Sequence, residues 1–310
     1  MKLQNLFIFL TILLLASCEE RYQPDITTEE PLLVVEGHIE VSSGVVPLPP
    51  YVILTRTIPF FAEITVEQIE ELFVHDAFVQ VSDGAQTITL EEVCWDELPE
   101  EFKDIVIETV PDLNGQQINY CIYTDLSFSF FGEEGKTYDL LVETDKEIAT
   151  STTTIPKLVP LDSVYFKPAP GGYGDSLLEL QVGFTDPVLV DNFYRYFTST
   201  NQSAFYPGFN SVFNDLLYAG LTVDFPLAKG EPPFRSAEDV SIFGLFRPGD
   251  EVVLRWLCID QAHYKFWDTL EFNRVNQGPF GSYTQVKSNI EGAIGIWGGY
   301  SSAYYQLLAE

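Results

Sequence analysis

The stretch Ala77-Phe78-Val79-Gln80-Val81-Ser82-Asp83-Gly84-Ala85-Gln86-Thr87-Ile88-Thr89-Leu90 decides the fold class. Residues 77–81 are apolar and β-branched in alternation, and Ser82-Asp83-Gly84 carries turn chemistry. Residues 86–90 then alternate again on the way back. Two such runs around an Asp-Gly turn form a β-hairpin.

Runs of the same kind lie on either side. Residues 31–40, 51–57, 119–123, 135–143 and 149–155 read as strands, and Val66 to Phe73 reads as a short helix carrying Glu67, Glu70 and Glu71. Short strands with regular turn signals predict an antiparallel sandwich, immunoglobulin-like or fibronectin-like, over 31–157. The cysteine–tryptophan–cysteine spacing of antibody domains is missing. Ile155 to Pro160 reads as a linker or crossover. Residues 158–310 follow as a second β-rich domain, with strands at 163–166, 177–184, 192–198 and 250–259 and two closing strands from 291 to 308. One helix is predicted over 262–276, with Tyr264, Trp267, Leu270 and Phe272 on one broad face. Residues 200–235 read as a long, aromatic, loop-like insertion, and such insertions often carry function. Phe205, Tyr206, Phe209 and Tyr218 within it are the candidate ligand or partner surface. The overall expectation is a mainly β chain of two domains.

The N-terminus gives an address. Lys2 precedes an apolar run from Leu6 to Leu15, too short to span a bilayer, and small residues Ala16 and Ser17 then lead to Cys18. This resembles a bacterial lipobox, so residues 1–17 are expected to be a signal peptide and Cys18 the lipidated residue. Two or more acyl chains give stable attachment where one does not. Residues 18–30, acidic and poor in apolar side chains, read as a flexible tether. Glu19-Glu20 resembles the acidic signal that routes such lipoproteins to the cell surface, which is preferred over the periplasmic face.

Composition bounds the partners. With 16 basic residues against 46 acidic and a formal net charge of −30, the chain should repel nucleic acid and anionic headgroups. Cys94 and Cys121 flank an acidic insertion, Trp95 to Gln117, and either form a disulfide or remain buried free thiols. Both readings stand at this point. Cys258 sits in an apolar strand and reads as an inert core thiol.

The order of segments after the lipobox resembles the domain-of-unknown-function 4249 family, lipoproteins of Bacteroidota. The resemblance is carried by Leu33-Val34-Val35-Glu36-Gly37, residues 52–57, 77–84 and 135–140, and Phe184-Thr185-Asp186-Pro187 with Asn192-Phe193-Tyr194. It continues through residues 264–267 and 288–292 to Gly298-Gly299-Tyr300. It implies an outer-membrane lipoprotein acting beside a TonB-dependent receptor. It supplies no catalytic or binding residues.

Candidate chemistry is sparse. His38, His75 and His263 lack the spacing of a metal pair, and each reads as standing alone. Glu36, His38 and Glu40 share one strand face, which could take a divalent cation but reads better as solvated. Glu91, Glu92, Asp96, Glu97, Glu100 and Glu101 form an acidic patch, read as a solvated insertion, and Asp112-Leu113-Asn114-Gly115 reads as a turn. Trp256, Trp267 and Trp297 read as core. No Gly-x-Ser-x-Gly elbow, zinc-protease helix or phosphate loop is present. The expectation is therefore a non-enzymatic, lipid-anchored accessory or binding protein without metal or cofactor. A stand-alone glycan or peptide binder comes next, then a hydrolase using paired carboxylates.

Overall fold

The computed structural model describes residues 30–43, 47–58, 65–98, 103, 119–172, 176–188, 190–217, 219–232, 242–275 and 284–310. The lipobox with Cys18, most of the acidic insertion including Glu100, Glu101 and residues 112–115, and Tyr218 lie outside these residues.

The chain is mainly β with one main helix. The elements are β1 (Leu33–Ser43), β2 (Tyr51–Arg56), α1 (Val66–Glu70), β3 (Phe78–Ser82), β4 (Thr87–Cys94), β5 (Cys121–Thr124), β6 (Thr137–Glu143) and β7 (Ile148–Thr154). They continue as β8 (Ser163–Pro168), β9 (Leu178–Thr185), β10 (Phe193–Thr200), β11 (Tyr206–Asn214), β12 (Thr222–Leu227), β13 (Glu251–Ile259), α2 (Gln261–Val275) and β14 (Ile294–Leu308). An 11-stranded sheet runs β11-β10-β13-β14-β1-β2-β5-β4-β3-β6-β7, and a second sheet runs β12-β9-β8. The predicted hairpin is β3–β4, closed by Gly84 at φ +83°.

The large sheet turns a corner at β4. Its first residues pair with β3 and its last, Glu91–Cys94, pair with β5. A strand that serves two layers lets a sheet fold over on itself. Val35, Ile39, Leu54, Val79, Val81, Tyr138, Leu140, Val142 and Trp297 fill the space so enclosed. The alternation of β6 and β7, with every second residue buried, is what one inward face demands.

A second cluster of apolar residues lies between the β12-β9-β8 sheet and the β10–β13 region, centred on Leu180, Val182, Phe184, Tyr194, Phe246 and Trp256. Helix α2 covers the opposite face of the same strands through Trp267, Tyr264, Phe266 and Leu270. Phe272, expected on that face, is exposed instead. The first cluster also takes Ile290 and Trp297 from beyond the expected boundary near 157. The strands on either side of it are hydrogen-bonded into one sheet, because β1 pairs in parallel with β14, and Pro31–Glu310 is one compact unit.

Two sequence expectations are corrected here. Residues 200–235 are not a loop-like insertion: they contain β11 and β12. Pro207 and Pro226 are accommodated because β11 and β12 are edge strands, where a missing N–H is tolerated. Pro207 also sits where the β10–β11 register shifts. Gly208 is required by packing, since a Cβ there would lie 1.9 Å from the Tyr196 hydroxyl. Likewise the C-terminus is one 15-residue strand, not two. Its glycines Gly295, Gly298 and Gly299 each stand in close approach to neighbouring groups.

Candidate functional site

A row of polar side chains crosses the α2 face of the large sheet. β1 supplies Glu36, His38 and Glu40, which share a face by the period of the strand. The register sets their neighbours: His38 lies between Tyr51 on β2 and Gly298 on β14, and Glu40 lies beside Tyr300. β13 contributes Arg255 and β10 contributes Arg195. From above, α2 drops His263 and Trp267 onto the row. Asp260 caps that helix by accepting the His263 N–H at 2.8 Å, which fixes where the ring enters.

The expected solvated strand face is therefore wrong for two of its three members. His38 and Glu40 are buried, and only Glu36 keeps about half of its side chain in solvent. The physical reason is pairing from distant strands. Arg255 Nη2 donates to Glu40 Oε2 at 2.7 Å and to the Tyr300 hydroxyl at 3.1 Å, so a buried cation meets a buried anion. Burial alone would pull the Arg255 pKa down, but Tyr300, Glu40 and Tyr304 around it more than reverse this, and it is raised. Burial drives Tyr300 well above its ordinary value.

The histidines are not isolated either. The rings of His38 and His263 have centroids 5.6 Å apart, and Tyr51 and Tyr300 close around them. Burial first, then the fields of His38 and Arg195, hold the His263 pKa well below the ordinary imidazole range. Arg195 is held between the rings of Trp267, 3.5 Å away, and Phe197, 4.6 Å away. Its Nε donates to Ser211 Oγ at 3.3 Å, and Ser211 in turn bonds Glu271 of α2. Burial lowers the Arg195 pKa to about 10. Burial pushes the Glu36 carboxyl up, but its contact with His38 and the charges of His38, Arg195 and Arg274 outweigh that, and it is lowered.

Several buried nitrogens in this row have no hydrogen-bond partner among the described residues: His38 Nδ1, both ring nitrogens of His263, Trp267 Nε1 and Arg255 Nε. Each such group costs on the order of 1–3 kcal/mol. Their concentration in one place marks an enclosed polar cluster rather than an open surface.

A second candidate feature is apolar and exposed. Val188, Val190, Leu216, Leu217 and Leu221 are each more than half exposed. They lie on the β9–β10 and β11–β12 connections, which a buried network ties together. Asp186 N–H donates to the Leu221 carbonyl at 3.0 Å, and its carboxylate accepts from Gly220 N–H at 3.3 Å and the Tyr194 hydroxyl at 2.9 Å. Asp215 accepts from the Asn192 N–H at 2.6 Å and from its side-chain amide at 3.2 Å. Asp186 and Asp215 are two buried carboxylates that converge, with Asn192 between them. Burial raises the Asp186 pKa despite these bonds. Both acids are used to pin loops.

Three of the four residues of the predicted aromatic surface are among the described residues. Phe205 packs edge-on against Tyr304, Tyr206 opens β11 opposite Thr198, and Phe209, half-exposed, packs against Phe243. Cys94 and Cys121 face each other on β4 and β5 and are joined as a disulfide, with Cα atoms 4.0 Å apart. Cys258 is a buried free thiol whose pKa burial pushes up to about 12. Trp256, Trp267 and Trp297 are core residues.

A family model described as a domain of unknown function, DUF4249, matches residues 19–306, and the chain belongs to that family. No curated protein and no solved structure matches it significantly. Among the described residues, no helix is long and apolar enough to cross a membrane.

Proposed function

We propose that this chain is a non-enzymatic, lipid-anchored outer-membrane protein that works as an accessory or binding subunit of a larger complex. In this reading Cys18 carries the lipid, the body faces the cell surface, and a TonB-dependent receptor of the same membrane is the partner. The observation that carries the docking role is the aliphatic surface of Val188, Val190, Leu216, Leu217 and Leu221. Exposed apolar side chains gathered on two tied loops mark interaction sites rather than ordinary surface. Asp191 is exposed beside Val190, and the chain is strongly acidic. Both features favour a protein surface with an apolar centre and basic rim over an anionic bilayer. The tether raises the local concentration of such a partner, so a modest surface suffices.

Site-specific crosslinking from position 217 in intact membranes, followed by identification of the adduct, tests this. A TonB-dependent receptor crosslinked by the wild-type surface and lost in Leu216→Asp/Leu217→Asp supports the assignment. A monomeric lipoprotein with no adduct, or an adduct indifferent to the double substitution, counts against it. Metabolic labelling with palmitate, abolished by Cys18→Ser, tests the anchor separately.

The row under α2 favours a second reading, a glycan- or peptide-binding lipoprotein acting alone. Its half-exposed Glu36, beside the buried His38, is the group a polar ligand would meet. A thermal-shift screen in which one polymer class raises Tm in wild type but not in Arg195→Met would favour it.

A further inference from the structure

His75, Glu92, Cys94 and Cys121 lie together at one edge of the β4–β5 pair, away from the row under α2. Glu92 and Cys94 are two apart on β4 and so share a face. Cys121 stands directly opposite Cys94, and Tyr123 opposite Glu92. His75 enters from the turn before β3, where Asp76 adopts φ +56°. One ligand atom from each of the four residues lies within 4.8 Å of all the others, and they are the group of this kind found among the described residues.

We propose that these four side chains form a redox-gated metal site, closed as a disulfide when oxidised and binding Zn2+ or a similar thiolate-preferring divalent cation when reduced. Two thiolates, an imidazole and a carboxylate make a four-ligand donor set of the kind zinc takes tetrahedrally. The carboxylate is already oriented. Glu92 Oε2 accepts the Asp76 N–H at 2.9 Å and lies 3.2 Å from the Tyr123 hydroxyl, while Oε1 faces His75 Nδ1 at 2.5 Å. Outer contacts of this type fix ligand geometry before the ion arrives. His75 is half-exposed, which leaves an entry path.

The chemistry balances through an external dithiol. The dithiol gives two electrons and two protons to the Cys94–Cys121 bond. That bond breaks to two thiols, and the dithiol becomes a disulfide. Binding of Zn2+ then releases the two thiol protons to solvent as two zinc–sulfur bonds form. With zinc–sulfur bonds of about 2.3 Å in a tetrahedron, the sulfurs must separate to about 3.8 Å. Rotation of the partly exposed Cys94 side chain supplies that movement.

The full chain in detergent, titrated with Co2+ before and after dithiol reduction, tests the proposal. The reduced protein should bind one equivalent with a thiolate-to-cobalt charge-transfer band and tetrahedral visible bands, and the oxidised protein should show neither. His75→Ala, which removes one of the four ligands, should weaken binding by at least the roughly 10–100-fold lost when an outer-shell partner is removed. Cys94→Ser, which cannot form the disulfide, should bind without reductant and with a weaker thiolate band. A folded, reduced protein without the thiolate band overturns the proposal, as does affinity unchanged by His75→Ala. Unfolding on reduction or in Cys94→Ser that Co2+ fails to reverse overturns it too, because a site built into the native sheet must stabilise that sheet.

Discussion

The ring of His263 occupies the space where a side chain at position 298 would stand: a Cβ on Gly298 would lie 2.6 Å from His263 Nδ1. Gly298 is therefore a packing glycine in the middle of β14, and it is what lets α2 set an imidazole beside His38. Gly298→Ala should destabilise the fold by about 1–3 kcal/mol, the usual cost of overpacking. The penalty should shrink in a His263→Ala background, with a coupling of roughly 1 kcal/mol or more between the two substitutions. Urea denaturation of the four proteins measures it. Additive effects would mean that the ring and the glycine do not share that space.

The same relationship explains what the sequence could and could not reveal. Strands such as β6 and β7 were legible because one buried face imposes alternation on a local stretch. The hairpin was legible from its Asp-Gly turn. The parallel β1–β14 pairing was not, since it joins residues as far apart as Ser42 and Ser302, separated by 260 positions. For that reason His38 and Glu40 looked like a solvated face. Their burial depends on Arg255, 215 positions from Glu40, and on a helix whose His263 packs on His38 from 225 positions away in the chain. The glycines of this segment suggest either bends or close approach, and nothing local says that a histidine ring will fill the gap at Gly298 or that Ile155 and Thr153 will close on Gly299. The one usable signal was the Glu-x-His-x-Glu alternation inside an otherwise apolar strand.

Breaking the Arg255–Glu40 pair from one side should be costly. Glu40→Leu leaves a guanidinium 6% exposed without its carboxylate, and a loss of about 3–5 kcal/mol is expected. Replacing both groups, Glu40→Leu with Arg255→Met, should recover most of that loss, because desolvation of the pair is then removed along with its attraction. Chemical denaturation of the single and double variants decides the matter. A double variant no more stable than Glu40→Leu would show that the pair gains more than it costs.

The aliphatic loops make the opposite prediction. Leu216 and Leu217 are 73% and 81% exposed, so Leu216→Asp/Leu217→Asp should leave stability within about 0.5 kcal/mol of wild type. Disrupting the network beneath should not be neutral. Asp215→Ala removes the acceptor for the Asn192 N–H and side-chain amide in a buried setting, and about 1–3 kcal/mol should be lost. Equal costs for the surface and the buried substitutions would mean that the leucines are packed in solution rather than displayed.

His263 also sets a pH dependence whose sign follows from its burial. Its folded pKa lies well below the ordinary imidazole value of 6.5, so in acid the unfolded chain takes up a proton that the folded chain refuses. Stability from this group is complete above about pH 6.5 and is lost as pH falls towards the folded pKa, by up to about 1.4 kcal/mol per pH unit. The groups facing it oppose protonation unevenly. His38 and Arg195 add positive charge from β1 and β10. Glu36 and Glu40 on β1 and Asp260 at the helix cap offset part of it, and Tyr51 and Tyr300 stay neutral with raised pKa values. Carboxylates with lowered pKa values, Asp125 and Glu147 with Glu147 near 2, lose their contribution only at lower pH, below about 4.5. Asp186 and Asp260, whose pKa values burial raises, contribute a slope of opposite sign as pH falls, so the comparison with His263→Leu, rather than the window from about pH 6.5 to 4.5 alone, assigns the change to the imidazole. Urea denaturation across that window should show a falling stability in wild type and a flatter profile in His263→Leu, and equal slopes in the two proteins would remove His263 as the cause.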